Sequence, residues 1–530
     1  MGVRRGVAPP VSLAAVALAG SMLVCPAQAQ QPATVAEGVA LPAAGPDGAA
    51  ATGPSRRLTT GLLLEQAFSN MQERPTLPNG VESITRLEPT VRLISLGGRV
   101  QGNLNYAGSY YYRTGREDST GGEWQNFLDA NFRAEAVERW AYVDASASIR
   151  PQAISAFGQP VYNARLANDN RTEVRTLSLS PYLTGVLGGL ANYELRLTGT
   201  ASNSSGEGTA NSRSGAGLVS LASENRGPLG WRLLAKRERV DYGDSTTTST
   251  TDRVLGVLVW RLNSDLRFQL NGGYENVDLG GPVGQKYENY GLGFEWTPSP
   301  RTRVAANVEE RYFGRAHAVQ VDYRMPSSVF SYTDTRNVND GGIDPSNLGQ
   351  PPTLYDLLYK LFTSIQPDSI QRDQLVLDYL APLGRNPNEV INGGQLITGT
   401  TVQRRQFLGW AMGGRRTMLS LQAFRIESDP LDAATISVPG AGETVVESGY
   451  MAAISHRLTP DVALSLLGLR RRTDATSTFG GSDEKSAALA LTARLGRRTT
   501  GSVALRYTAF NSPTDPFRDT ELIGGVRLYF

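Results

Sequence analysis

The chain is 530 residues long, with 52 lysines and arginines against 50 aspartates and glutamates and a formal charge of +2. So even a balance argues against the broad basic footprint of a nucleic-acid-binding protein. Beyond the N-terminal region no apolar run is long enough for a membrane-spanning helix, which excludes a helical membrane protein but not a β-barrel, whose strands need only about 9 to 11 residues and show half their side chains to lipid.

At the N-terminus, Arg4 and Arg5 precede an apolar run from Val11 to Val24, and Ala27-Gln28-Ala29 supplies a small-x-small cleavage site. Residues 1–29 therefore read as a secretory signal peptide, cut after Ala29. The single cysteine, Cys25, lies inside it. Acylation there would call for a small residue where Val24 stands, so the mature chain is expected to carry no disulfide and no thiolate metal site. Residues 30–88 read as a flexible periplasmic lead. Its Ala/Gly/Pro-rich part up to Arg57 suits disorder, and Leu62 to Phe68 suits one short helical turn.

From residue 89 to 530 the pattern changes to alternation. In Leu266 to Val277, Leu266, Phe268, Leu270 and Tyr274 share one face, with Arg267, Gln269, Asn271 and Glu275 on the other. Tyr290, Leu292, Phe294 and Trp296 repeat it against Asn289 and Glu295, as do Leu128, Ala130 and Phe132 against Asp129, Asn131 and Arg133. Connections take turns between tight ones, such as Asn263-Ser264, Gly413-Gly414 and Thr459-Pro460-Asp461, and long polar ones, such as Ser202 to Arg213 and Asp474 to Lys485. The expected fold is all-β: a transmembrane antiparallel up-and-down barrel of about 20 strands, within a range of 16–22, beginning near Arg99. Abundant glycine (57) and tyrosine (21) suit its twisted strands and interfacial girdles.

Residues 339–400 interrupt the alternation. Leu354, Leu357, Leu358, Leu361 and Phe362 follow helical spacing after Thr353, and Ile370 to Leu380 suits a second helix. The spacing predicts a small helical insert on the outer side or plugging the lumen, because such a stripe has to be buried somewhere. The last strand places Leu522, Val526, Leu528 and the terminal Phe530 on one face. A row of that kind, ending in an aromatic residue, resembles the signal that outer-membrane assembly machinery reads.

Several motifs carry a family resemblance. Leu87-Glu88-Pro89, Ser180-Pro181-Tyr182-Leu183, Gly273-Tyr274-Glu275, Trp296-Thr297-Pro298-Ser299-Pro300-Arg301-Thr302, Glu310-Arg311-Tyr312-Phe313-Gly314 and Gly414-Arg415-Arg416 resemble the outer-membrane barrel proteins associated with the PEP-CTERM/exosortase system. The resemblance implies a Gram-negative outer-membrane setting linked to exopolysaccharide production and export, without a known molecular activity.

Candidate lumen-wall residues are Glu194, Arg196, Arg267, Gln269, Asn271, Glu275, Arg311 and Arg506, which could bind saccharide hydroxyls or uronate carboxylates, or simply satisfy one another. Arginine clusters at Arg404-Arg405, Arg415-Arg416, Arg470-Arg471-Arg472 and Arg497-Arg498 suit lipid phosphates at the interfaces or an anionic polymer. Trp260, Trp296, Trp410, Tyr110, Tyr112 and Tyr312 suit girdles or sugar stacking. No catalytic residue, metal site or cofactor is expected: His317 and His456 lie apart and no nucleophile motif accompanies them. Expected partners are outer-membrane lipid and lipopolysaccharide, the assembly machinery, and exopolysaccharide with its export components. The functions in contention are polymer passage or anchoring, a diffusion porin for small hydrophilic solutes, and a barrel that displays outer loops.

Overall fold

In the computed structural model, the described residues run from 56 to 530, apart from 74–78, 96, 116–119, 162, 164, 206–210, 224–226, 244–247, 280–283, 432–441 and most of 340–399. Twenty-two antiparallel strands follow one another in chain order. They are β1 (Arg56–Gln72), β2 (Gly80–Ser95), β3 (Val100–Thr114), β4 (Gly121–Val137), β5 (Ala141–Ala153), β6 (Arg171–Leu187), β7 (Ala191–Ser205), β8 (Ser212–Ser223), β9 (Leu229–Tyr242), β10 (Thr248–Arg261) and β11 (Leu266–Asp278). The second half comprises β12 (Gln285–Ser299), β13 (Thr302–Arg311), β14 (Gly314–Arg324), β15 (Ser328–Asn339), β16 (Thr401–Gly413), β17 (Thr417–Pro430), β18 (Val445–Arg457), β19 (Val462–Thr473), β20 (Ser482–Arg494), β21 (Thr499–Asn511) and β22 (Phe517–Tyr529).

The sheet closes on itself. β22 pairs with β1 from Tyr529 opposite Gly61 to Arg518 opposite Gln72, and the Phe530 amide donates to the Thr60 carbonyl at 2.9 Å. Closure removes the open edge that a sheet otherwise presents to other chains. The all-β antiparallel barrel is as expected, but it has 22 strands and not about 20. It also starts at Arg56, well before Arg99, so two parts of the expected flexible lead, residues 56–72 and 80–88, are barrel wall. Leu62 to Phe68 is strand: Leu64 and Phe68 point out, while Leu63, Glu65 and Ala67 point in. The contiguous Leu62-Leu63-Leu64 hides that alternation in the sequence.

Side chains alternate across the wall with apolar residues outside. Leu270 is 61 % and Leu292, opposite it in register, 63 % exposed, whereas the next residue, Asn271, is buried. A water-soluble sheet would reverse this order; a wall solvated by lipid requires it. Strand lengths reach 17 residues in β1 and fall to 10 in β13, so every wall segment meets the span of a bilayer and several project beyond it.

Connections sort by end. At the end where Phe530 lies, turns are short and use side-chain oxygens: Asn263 Oδ1 accepts from the amides of Asp265 (2.9 Å) and Leu266 (2.7 Å), and Thr459 Oγ1 from Val462 (3.0 Å). The opposite end carries the long connections, with one exception between β13 and β14. There Gly314, with φ of 89°, completes a two-residue turn. Of the six tryptophans, Trp140, Trp231, Trp260, Trp296 and Trp410 belong to the short-turn end of the wall, and Trp124 to the long-loop end, tilted against Tyr110 with ring centroids 5.2 Å apart. That distribution fits interfacial girdles.

The elements delineated are all strands, so the expected small helical insert is not among them. Within 340–399, Tyr355, Leu358, Tyr359, Arg372, Leu375, Val376, Tyr379 and Leu380 have helical backbone, while Leu354, Leu357 and Leu361 lie outside the described residues, as do residues 1–55 with the expected signal peptide.

Candidate functional site

Strand register places every candidate wall residue on the inner face. Glu194 and Arg196 of β7, Arg267, Gln269, Asn271 and Glu275 of β11, Arg311 of β13 and Arg506 of β21 all alternate with outward apolar neighbours. They do not form one cluster. Two chain segments that enter from the long-loop end lie against the inner face.

The first segment is the insert between β15 and β16. Leu358 and Phe362, each 1 % exposed, join Val376, Tyr379 and Leu380 in a cluster with inward-facing Val329, Phe407, Ala411, Met418, Ala453 and Leu467. Val329, Ala411 and Met418 belong to the short-turn end, so the insert reaches through much of the barrel's depth. The Tyr379 hydroxyl bonds to Ser420 Oγ at 3.0 Å and donates to the Ala453 carbonyl at 3.1 Å. Burial pushes the phenol up to about 12, against the opposing effect of the Ser420 bond. On its other side the insert meets β2: Arg92 lies over the Tyr355 ring at 5.1 Å, Tyr355 stacks on Tyr359 at 5.6 Å, and Arg372 lies over Tyr359 at 4.2 Å. This cation–π ladder ties the insert to a second part of the wall.

The second segment, residues 154–170 between β5 and β6, was not singled out by sequence pattern. Its mixed apolar and polar composition has neither the strand nor the helix period, and the contacts of Arg165 and Asn163 depend on distant partners. Arg165 forms a two-point ion pair with Glu65 of β1, and Asn163 Nδ2 donates to Glu521 Oε1 of β22 at 3.3 Å. Burial disfavours the Arg165 guanidinium, but Glu65 outweighs it and holds the pKa above its ordinary value. Leu166 packs with Met71, Phe510 and Phe517, and the Ala156 carbonyl accepts from Thr473 of β19 at 3.0 Å. Beneath this loop the wall is a dense polar layer, with Ser69 donating to Asp519 (2.7 Å), Ser109 to Glu88 (2.6 Å) and Arg506 pairing with Glu521 (3.4 Å).

Elsewhere the inner charges form smaller sets. Arg133 and Arg196 share Asp144, at 2.8 and 3.0 Å, and Arg196 also meets Glu194 at 2.8 Å while lying over the Tyr182 ring at 3.9 Å. Glu295 accepts from Nε of both Arg267 (2.8 Å) and Arg303 (2.9 Å). Arg311 pairs with Glu275, Nε to Oε2 at 3.2 Å, and Arg253 with Glu309.

The arginine clusters split across the wall. Arg404 points outward and bonds to Asp334 (2.8 Å), beside His317, whereas Arg405 points inward and is half-buried. Arg470 and Arg472 point outward to Asp483 and Asp474, and Arg471 inward to Glu447. Leu522, Val526 and Leu528 form an outward row that Phe530, 66 % exposed, follows. Among the described residues no group of acidic, histidine or cysteine side chains is arranged to hold a metal ion.

No family model and no curated protein matches the chain. Among solved structures it is similar to the FrpB iron transporter of Neisseria meningitidis, at 10% identity over 89% of this chain and 81% of that one, with a TM-score of 0.45. It is also similar to OccK5 (OpdH) of Pseudomonas aeruginosa, at 10% identity over 89% and 98% of the two chains and a TM-score of 0.30, and to OccK1 (OpdK) of the same organism, at 9% over 89% and 99% with 0.32.

Proposed function

We propose that the protein is an outer-membrane β-barrel of a Gram-negative bacterium that serves exopolysaccharide production or export, passing or anchoring polymer through a lumen obstructed by its own chain. The outward apolar rows and the tryptophan-rich end support the membrane setting, since lipid is the solvent that matches them. Leu522, Val526 and Leu528 support assembly by the outer-membrane machinery, and outward Arg404, Arg470 and Arg472 suit lipopolysaccharide phosphates. The exopolysaccharide link rests on the likeness of the Trp296–Thr302 and Glu310–Gly314 motifs to the PEP-CTERM-associated barrels.

The observation that carries controlled rather than free passage is the burial of Leu358 and Phe362 against Phe407, Ala411 and Met418. An insert that spends its apolar stripe on the inner wall occupies the lumen. A diffusion porin for small hydrophilic solutes is the second reading, favoured by the inner charges of β4 to β13 that still meet water.

The test is genetic. A strain lacking the protein should lose surface polysaccharide and accumulate it inside, with recovery on re-expression of the full chain. Unchanged surface polysaccharide together with slower uptake of small solutes would favour the porin.

A further inference from the structure

Among the described residues, the two lodged segments pack against β1 to β3 and β15 to β22. Under them, on β1 to β3 and β18 to β22, inward polar groups are sealed: Arg506 is 4 % and Glu521 0 % exposed. On the arc from β4 to β13 three inward arginines near the short-turn end face water, with the side chains of Arg133 and Arg303 each 45 % exposed and that of Arg267 43 %, while Glu275 and Glu309 farther along the same strands are buried. The geometry points to this arc as an eccentric binding passage whose ligand is a carboxylate-bearing saccharide. It deepens the function proposed above and takes the saccharide from it.

The charge arrangement selects the anion. Arg267 and Arg303 converge on one carboxylate, Glu295, so the set keeps net positive charge and unshared N–H groups toward the lumen. Arg133 and Arg196 converge on Asp144, but Glu194 also pairs with Arg196, so this second set is charge-balanced, with the Tyr182 ring beneath Arg196 at 3.9 Å. All four arginines stand near the short-turn end of their strands, so both sets face the same mouth. A planar guanidinium fork matches a carboxylate at two points, which a neutral sugar cannot offer. Low-dielectric walls around the net positive Arg267/Arg303 set raise the local concentration of an anion.

The purified full chain in detergent is titrated calorimetrically with a hexamer of galacturonate and with a neutral glucose hexamer. The uronate should bind more tightly, and added salt should weaken it. The double variant Arg267→Gln/Arg303→Gln should weaken uronate binding by about tenfold or more, the scale of a lost charge-assisted bond. Glu295→Gln should strengthen it, an opposite sign that a folding defect does not produce. Absent uronate binding, equal affinity for the two hexamers, or an unchanged double variant would overturn the assignment. Uronate binding by a protein whose deletion leaves surface polysaccharide unchanged would keep this site and reject the export role.

Discussion

Arg165 reaches Glu65 across 100 positions of sequence with two parallel bonds, Nε to Oε1 at 2.6 Å and Nη2 to Oε2 at 3.0 Å, both partners sealed from water. The pair pins residues 154–170 to the barrel wall. Removing one partner leaves the other charged and uncompensated, an effect of about 3–5 kcal/mol in buried settings. Arg165→Ala should therefore free the loop without opening the barrel. Limited proteolysis should cut between β5 and β6 in the variant, while the heat-modifiable gel shift of the folded barrel persists; Glu65→Gln should act in the same direction.

The insert depends on apolar burial. Leu358→Ala or Phe362→Ala removes a side chain wholly enclosed by insert and wall, which costs about 2–5 kcal/mol. Insert docking should weaken by that amount while strand pairing is unaffected. Hydrogen exchange should rise across 354–380 and stay low in β15 to β20.

Tyr379 gives the docked insert an alkaline limit. Its phenol ordinarily ionises near 10, and burial holds it up to about 12. A pKa raised in the docked state stabilises that state fully below about 10, and the contribution fades as pH rises from about 10 through 12. Insert protection should decline over that window in the parent protein. Tyr379→Phe should forfeit about 1 kcal/mol at neutral pH, from the bonds to Ser420 and Ala453, and should abolish the alkaline decline.

Much of the barrel was legible because a lipid-facing strand writes its alternation into the sequence. Arg267, Gln269, Asn271 and Glu275 face inward as their spacing required, and the tight turns at Asn263 and Thr459 lie at one end together. The first two strands escaped notice because Leu62, Leu63 and Leu64 are apolar on both faces: Leu63 packs inward, where a polar residue would have revealed the period. The insert's need for burial was legible in the spacing of Leu358 and Phe362. Its partners were not, because Phe407, Ala411 and Met418 become a single surface only when the strands pair. The loop at 154–170 left no periodic trace at all, since its position depends on contacts with distant strands, among them an ion pair with a strand that had not been recognised.

Single-channel conductance in planar bilayers, comparing the full chain with a variant lacking residues 353–380, tests the obstructed lumen most directly. A silent or rarely opening full chain whose deletion variant conducts steadily is the predicted result. Steady, equal conductance in both would contradict it, leaving the insert as a lining of an already open pore.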